Sequence, residues 1–190
     1  GLNNYSGVKL AQRFRVPFAL EYNGSEIWIG RNWGKPLKYE ALSQKIEDLN
    51  LSAANLVVVV SRPMKDELLR RGVSAEKILV NPNGVDPDRY FPDIDGSPVR
   101  KRCSLEGKTI WGFIGTCGPW HGAEVLAEAF GRLIDRRPDL RDSIRLLLIG
   151  DGTRMPQVKE AIHRHHMADL VTLTGLIPQK EGPTHLAACD

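Results

Sequence analysis

Along the chain, short and nearly uninterrupted apolar runs alternate with stretches in which apolar residues recur every three or four positions. The runs suit strands covered on both faces and the periodic stretches suit helices with one face inward. The alternation therefore predicts repeated βα units and mostly parallel sheets. VPFALEY (16–22) is the first strand candidate. Leu42, Ile46, Leu49 and Ala53 fall at i, i+4, i+7 and i+11, which predicts an amphipathic helix within 36–55 with that stripe inward. NLVVVVS (55–61) reads as a buried strand; Ser61 as N-cap, Pro63 in the first turn and Gly72 after Arg70 and Arg71 then frame a helix. KILVN (77–81) is a further short strand.

Between residues 81 and 108 the periodicity disappears and turn formers accumulate, which marks a boundary or hinge. The rhythm then resumes, with strands expected at 109–114, 144–149 and 170–174, and helices at 123–136, 155–166 and 181–188. In the helix at 123–136, Ala123, Leu126, Phe130, Leu133 and Ile134 form the inward stripe, and Glu128 and Arg132 pair at i, i+4 outside it. The expected organisation is one α/β lobe over 1–92, a linker over 93–108 and a second, Rossmann-like lobe over 109–190.

With 190 residues and 42% hydrophobic composition, the chain can bury one large core or two small ones. Its net charge of +3 is spread over interleaved basic and acidic residues, so no nucleic-acid-binding stripe is indicated. No apolar run has the length of a membrane span and no signal-peptide layout is visible, so a cytoplasmic protein is expected. Cys103, Cys117 and Cys189 are odd in number and widely spaced, and read as small core residues rather than disulfide partners or metal ligands. Gly1 is not an initiator Met and the chain stops just after a helix, so both lobes are expected to be incomplete pieces of a longer protein.

Candidate chemistry concentrates where the strand at 109–114 runs into Gly115-Thr116-Cys117-Gly118, and a helix restarts at Ala123 after His121 and Gly122. In a parallel α/β sheet, ligands bind beyond the carboxyl ends of the strands, where a helix N-terminus presents unpaired amides and a positive dipole end. A phosphate suits that place. The spacing of Gly115, Gly118 and Gly122 is neither the dinucleotide fingerprint nor a P-loop, so a plain tight βα turn stands beside the phosphate reading. Gly150, Asp151 and Gly152 close the next strand in the same way, with turn and N-cap chemistry as the competing account. An NAD-dependent oxidoreductase is disfavoured, because the fingerprint is missing and Gly150 rather than an acidic residue follows Ile149.

Several stretches carry a family resemblance. AANLVVVVSRPMKDELLRRGVSAEKILVNPNGVDPDRYFP resembles the end of the N-terminal domain of glycosyltransferase family 4. GFIGTCGPWHGAEVLAEAF, LLLIGDGTRMPQVKEAI and VTLTGLIP resemble the first three units of that family's donor domain. The resemblance implies a GT-B fold of two Rossmann-like lobes and a retaining transfer of a sugar from a nucleoside-diphosphate sugar to an acceptor, which could be a glycan, a lipid or a small molecule. It implies no bound metal and no permanently bound cofactor; the nucleotide sugar is a substrate, and peripheral membrane contact is open to the full protein. The donor diphosphate would lie on Gly115, Thr116, Gly118, His121 and Gly122, with Gly150, Asp151 and Gly152 beside them.

The departures are specific. Where the family carries Gly-Arg-(four residues)-Lys-Gly, Thr116 stands at the Arg position and His121 at the Lys position, so two fixed positive charges are replaced. A protonated His121 would restore one of them; alternatively His121 caps the loop or packs on Trp120. Glu21 and Asn23 stand near the place where the family often has a His, as candidates for the sugar or acceptor side, and Asn23-Gly24 reads equally as a strand-ending turn. The family's paired glutamates would lie beyond Asp190, so no catalytic residue is assigned and the chain alone is expected to be inactive. A sugar-nucleotide epimerase or hydrolase of similar architecture, or a non-catalytic nucleotide-sugar-binding relative, remains as the alternative. His163 and His166, at i, i+3, lack a third ligand nearby and read as a solvated helix face.

Overall fold

Runs of valine and leucine form the middle of each of two three-stranded parallel sheets. The computed structural model describes residues 5–190, and the chain divides into one unit ending at Gly84 and a second spanning Val85–Asp190. The division falls inside the interval without periodicity, ahead of the 93–108 segment expected as linker.

The first unit contains α1 (Tyr5–Phe14), β1 (Ala19–Tyr22), α2 (Glu26–Trp33), α3 (Glu40–Ala53), β2 (Leu56–Val59), α4 (Arg62–Arg70) and β3 (Ile78–Val80). The strands lie side by side in the order β1-β2-β3, with Ala19 opposite Leu56 and Val57 opposite Ile78. Leu20, Leu51, Ala54, Val57, Val59, Leu68 and Ile78 form the core between sheet and helices. The start of α4 follows the sequence signal, since the Ser61 hydroxyl accepts from the Met64 amide at 3.4 Å and Pro63 occupies the first turn. Ser25 performs the same service for α2, accepting from the Trp28 amide at 3.3 Å.

Helix α3 forms where expected but turns a different face inward. Ser43, Glu47, Asn50 and Leu51 are buried, whereas Leu42 and Leu49 are 57% and 43% exposed. The reason is a charged cluster. Glu47 Oε1 accepts from Arg71 Nη1 at 2.7 Å and from the Tyr22 hydroxyl at 3.3 Å, Arg71 Nη1 also donates to the Tyr22 oxygen at 3.0 Å, and Arg71 Nη2 holds Asp48 at 2.8 Å. Burial, followed by the Glu47 charge, pushes the Tyr22 phenol above its ordinary value and keeps it a hydrogen-bond donor. A buried carboxylate paired in this way tolerates its position, but removal of its partner leaves an uncompensated charge.

The second unit contains α5 (Ser97–Arg102), β4 (Thr109–Ile114), α6 (Ala123–Arg136), β5 (Ile144–Ile149), α7 (Met155–Arg164), β6 (Val171–Leu173) and α8 (Gly182–Ala187), with strand order β4-β5-β6. Central β5 is buried on both faces over its apolar run Leu146–Ile149. Residues 93–108 are not a bare connection. Helix α5 lies within them, and Val99 and Leu105 join Ile110, Leu147, Ile149 and Ala188 in a core on one side of the sheet. Its approach to α8 is close: a Cβ at Gly96 would stand 2.2 Å from the Ala187 carbonyl oxygen.

On the other side of the sheet, Ala123, Ala127, Phe130 and Ile134 of α6 meet Leu146, Leu148, Met155, Val158 and Ala161. Gly131 lets α7 approach α6, because a Cβ there would stand 2.3 Å from the His165 ring. His165 is itself held between Asp135, at 2.5 Å from Nδ1, and Glu128, at 3.2 Å from Nε2. The hydrogen bond with Asp135, reinforced by Glu128 and opposed by burial, raises the His165 pKa above its ordinary value. Cys117 is buried, Cys103 and Cys189 are half-buried, and all three are free thiols. Among the described residues no helix is long and apolar enough to cross a membrane.

Two outcomes follow from this packing. In chemical denaturation, Arg71→Ala is expected to destabilise the first unit by about 3 kcal/mol by orphaning Glu47, and the double variant Arg71→Ala/Glu47→Leu to recover most of that loss; a double variant no better than Arg71→Ala would contradict it. Because His165 has a raised pKa in the folded state, its charged contribution is complete below the unfolded-state pKa of about 6.5 and is lost as pH rises through the folded-state value. The stability gap between wild type and His165→Gln should therefore narrow as pH rises from 6 to 9, and a constant gap would remove the ion pairs from the account.

Candidate functional site at the mouth of the second sheet

At the carboxyl ends of β4 and β5 the two glycine turns are knitted together through their main chains. Gly115 donates its amide to the Ile149 carbonyl at 3.0 Å, Cys117 donates to Asp151 at 3.0 Å, and Arg154 donates to Cys117 at 2.8 Å. Gly150 in turn donates to Gly175 at 3.0 Å. No side chain fits between the turns: a Cβ at Gly150 would stand 1.9 Å from the Gly115 carbonyl oxygen, and one at Gly152 would stand 2.7 Å from the Cys117 backbone. Of the glycines expected at this sheet edge, Gly150 stands directly against Gly115 and Gly152 against Cys117, while Gly118 faces the Trp120 ring.

Gly122 caps α6 with φ 71° and ψ 22°, a left-handed conformation that glycine adopts without strain. The first helical rung runs from the Leu126 amide to the Gly122 carbonyl at 2.9 Å, so the amides of Ala123, Glu124 and Val125 precede it and point out of the helix end. Thr116 and His121 lie on the exposed side of this loop. His121 Nδ1 contacts the Thr116 carbonyl oxygen and stands 3.0 Å from the Thr116 hydroxyl. Its ring meets Trp120 edge to face at 5.6 Å. The imidazole thus clamps the loop through one nitrogen, and Nε2 is the nitrogen left to meet a ligand.

The local charges are mixed. Asp151 turns its carboxylate onto its own loop, with Oδ1 accepting from the Gly152 amide at 2.7 Å. Glu124 sits in the first turn of α6 with Oε2 buried and without a hydrogen-bond partner, and Oε1 3.7 Å from Arg154 Nε. Burial first, then the nearby Asp151 and Glu124 charges, push the Cys117 thiol upward and favour its protonated form. Arg154 was not singled out from the sequence. Its signal was a cation within the second glycine turn, and its main chain and side chain both reach the α6 loop.

In the first unit, Glu21 and Asn23 come together at the end of β1, where Asn23 Nδ2 donates to Glu21 Oε1 at 3.1 Å. The rings of His163 and His166 are 6.5 Å apart at the end of α7. Among the described residues no group of three or more His, Cys, Asp or Glu side chains gathers as a metal-binding cluster.

The arrangement of strand, glycine turn and helix has known counterparts. Residues 3–89 match the family model for Glycosyltransferase Family 4, and this match covers the first unit. Over those residues the chain is similar to Glycosyltransferase Family 4. The rest of the chain keeps the same company. A GDP-mannose-dependent alpha-mannosyltransferase of Mycobacterium tuberculosis is 25% identical over 85% of this chain and 39% of its own length. A 2-deoxystreptamine glucosyltransferase of Streptomyces kanamyceticus is 27% identical over 73% of this chain and 35% of its own. The chain spans between a third and two fifths of the length of these relatives.

Among solved structures, sucrose-phosphate synthase from Thermosynechococcus elongatus aligns over 98% of this chain and 46% of its own, with a TM-score of 0.76 at 20% identity. Anabaena HepE in complex with UDP aligns over 98% and 48%, with a TM-score of 0.74 at 21% identity. The family fold is therefore the GT-B type, two Rossmann-like units with parallel sheets.

The apposition of the two turns generates a direct expectation. Gly152→Ala should destabilise the second unit by about 1–3 kcal/mol in urea denaturation, because the added methyl group forces the turns apart. Gly84→Ala, where nothing lies within 4 Å of the added Cβ, should leave stability near wild type. Equal stability of both variants would mean the turns are not held in contact.

Proposed function

We propose that this chain is the joining portion of a retaining glycosyltransferase that takes its sugar from a nucleoside-diphosphate donor and works without a bound metal. The single observation that carries the proposal is the position of the α6 N-terminus. Gly115, Gly150 and Gly152 bring two turns into main-chain contact, and the amides of Ala123, Glu124 and Val125 emerge beside them. Breaking a glycosyl–phosphate bond leaves negative charge on the departing diphosphate, so donors fixed in place before the reaction accelerate it. A helix N-terminus contributes from a few tenths to about 2 kcal/mol toward a nearby anion.

In this reading Gly115, Gly118 and Gly122 allow the diphosphate to approach the main chain, Thr116 offers its hydroxyl, and His121 offers Nε2. Gly150, Asp151 and Gly152 form the second rim, and Arg154 supplies the nearest fixed cation. Glu21 and Asn23 belong to the acceptor side. The residues that grip the sugar and complete catalysis are proposed to lie outside these 190 residues, so the chain should bind nucleotide without turning it over. A cytoplasmic location is part of the same proposal. The names of the relatives, which include GDP-mannose-dependent and glucosyl-transferring enzymes, support the donor class while leaving the base and sugar open.

Calorimetric titration of the 190-residue chain with UDP and with GDP tests the reading. Saturable binding of at least one is expected, weakened about tenfold, or about 1.4 kcal/mol, by His121→Ala with thermal unfolding nearly unchanged. Binding of neither nucleotide would overturn the role given to the loop, and full affinity in the variant would overturn the role given to His121.

A further inference from the structure

Beside Asn23, the first unit holds a cavity of about 210 Å³ whose walls include Ser25, Trp28, Trp33, Met64 and Glu67. Trp28 and Trp33 meet edge to face, with ring centroids 4.7 Å apart and planes at 88°, and are 49% and 41% exposed. Two indoles left half in water at the end of a parallel strand cost hydration free energy that a ligand would recover. Met64 and Glu67 reach the same cavity from one face of α4, three residues apart.

The polar groups around the cavity share a chemical bias. The Glu67 carboxylate makes no ion pair or hydrogen bond among the described residues, and it is the one charged group among the described residues that line the space. Asn23 commits its Nδ2 to Glu21, which leaves its Oδ1 as an acceptor. The Ser25 oxygen already accepts from the Trp28 amide. With the Glu67 carboxylate and the Asn23 Oδ1 as acceptors beside two indole faces, the cavity suits a ligand group that brings several donors and a positive charge. An alkylammonium group has three donors and a positive charge, and indole faces attract such a charge. A neutral hydroxyl would satisfy the acceptors but gain nothing from the carboxylate's charge.

We propose that Trp28, Trp33 and Glu67 form a binding site for an ammonium group, carried by the acceptor substrate. The assignment rests on the reading that the first unit holds the acceptor, and it adds the acceptor's chemical class. The ammonium could belong to a soluble amino sugar or to an aminolipid headgroup. Both share the chemistry that the cavity recognises.

The experiment compares D-glucosamine with D-glucose, a pair that differs by one amino group, in titrations of the 190-residue chain at pH 6. Phosphatidylethanolamine vesicles form a second arm, with vesicles of diglucosyldiacylglycerol, whose headgroup is neutral and carries no ammonium, as the comparison. Saturable binding of glucosamine at least tenfold tighter than glucose, weakened about tenfold by Glu67→Gln and by Trp28→Ala, is expected for a soluble amino sugar. Preferential, Glu67-dependent binding to the phosphatidylethanolamine vesicles would support the same site with a lipid as source. Equal response to the amino and hydroxyl probes, no binding in either arm, or full binding by Glu67→Gln would overturn the proposal. Glu67→Gln preserves shape, and its melting temperature separates lost binding from lost folding. UDP binding measured on the same samples separates a failure of this site, with nucleotide binding intact, from a failure of the transferase reading.

Discussion

The contact between two glycine turns, main chain against main chain, is the constraint on which the second unit's candidate site depends. Gly150 approaches the Gly115 carbonyl and Gly152 approaches Cys117 too closely for any side chain, and the amides of Cys117 and Arg154 close the contact with hydrogen bonds. Hydrogen bonding between two irregular loops removes the freedom that each would otherwise have, so the start of α6 is fixed relative to the sheet edge. The rigid strand β5, buried on both faces, anchors one side, and the packing of Phe130 and Ile134 anchors the other. On the proposed reading, an anion held by such main-chain amides needs no cationic side chain to preorganise its site, which suits the presence of Thr116 and His121 where the family resemblance expects two cations.

The two units reach stability by different means. The second packs two apolar cores on opposite faces of its sheet, with His165 bridging Asp135 and Glu128 where α6 and α7 meet. The first buries a carboxylate in its core and satisfies it with Arg71 and Tyr22. That arrangement rotates α3 about its axis and orients the end of β1, since Tyr22 immediately precedes Asn23. The acceptor-side candidates are thus tied to a buried polar cluster, whereas the donor-side loop is tied to glycines.

From β4 onward the strands and helices of the second unit were legible from sequence to within a residue or two, because β4, α6 and β5 contrast sharply in period and their boundaries carry glycine or a charged turn. Helix α5 escaped notice, being six residues long within a segment rich in proline and aspartate. Helix α2 was not expected, because Gly30, Arg31 and Asn32 interrupt its apolar periodicity. The face of α3 was misread for a reason that no periodicity could reveal: Glu47 counts as a surface residue until Arg71, 24 positions later, is known to meet it. The glycine turns could be found as motifs, yet their mutual contact required the fold, and so did the cavity between α2 and α4.

The central claim is that the amides at the start of α6 receive the diphosphate of a nucleotide. It is tested most directly by following the backbone amide resonances of the 190-residue chain while UDP or GDP is added. Saturable shifts concentrated on Gly115 to Val125 and on Gly150 to Arg154 are the predicted result. Saturation with the largest shifts elsewhere in the chain, and those amides unmoved, would contradict it.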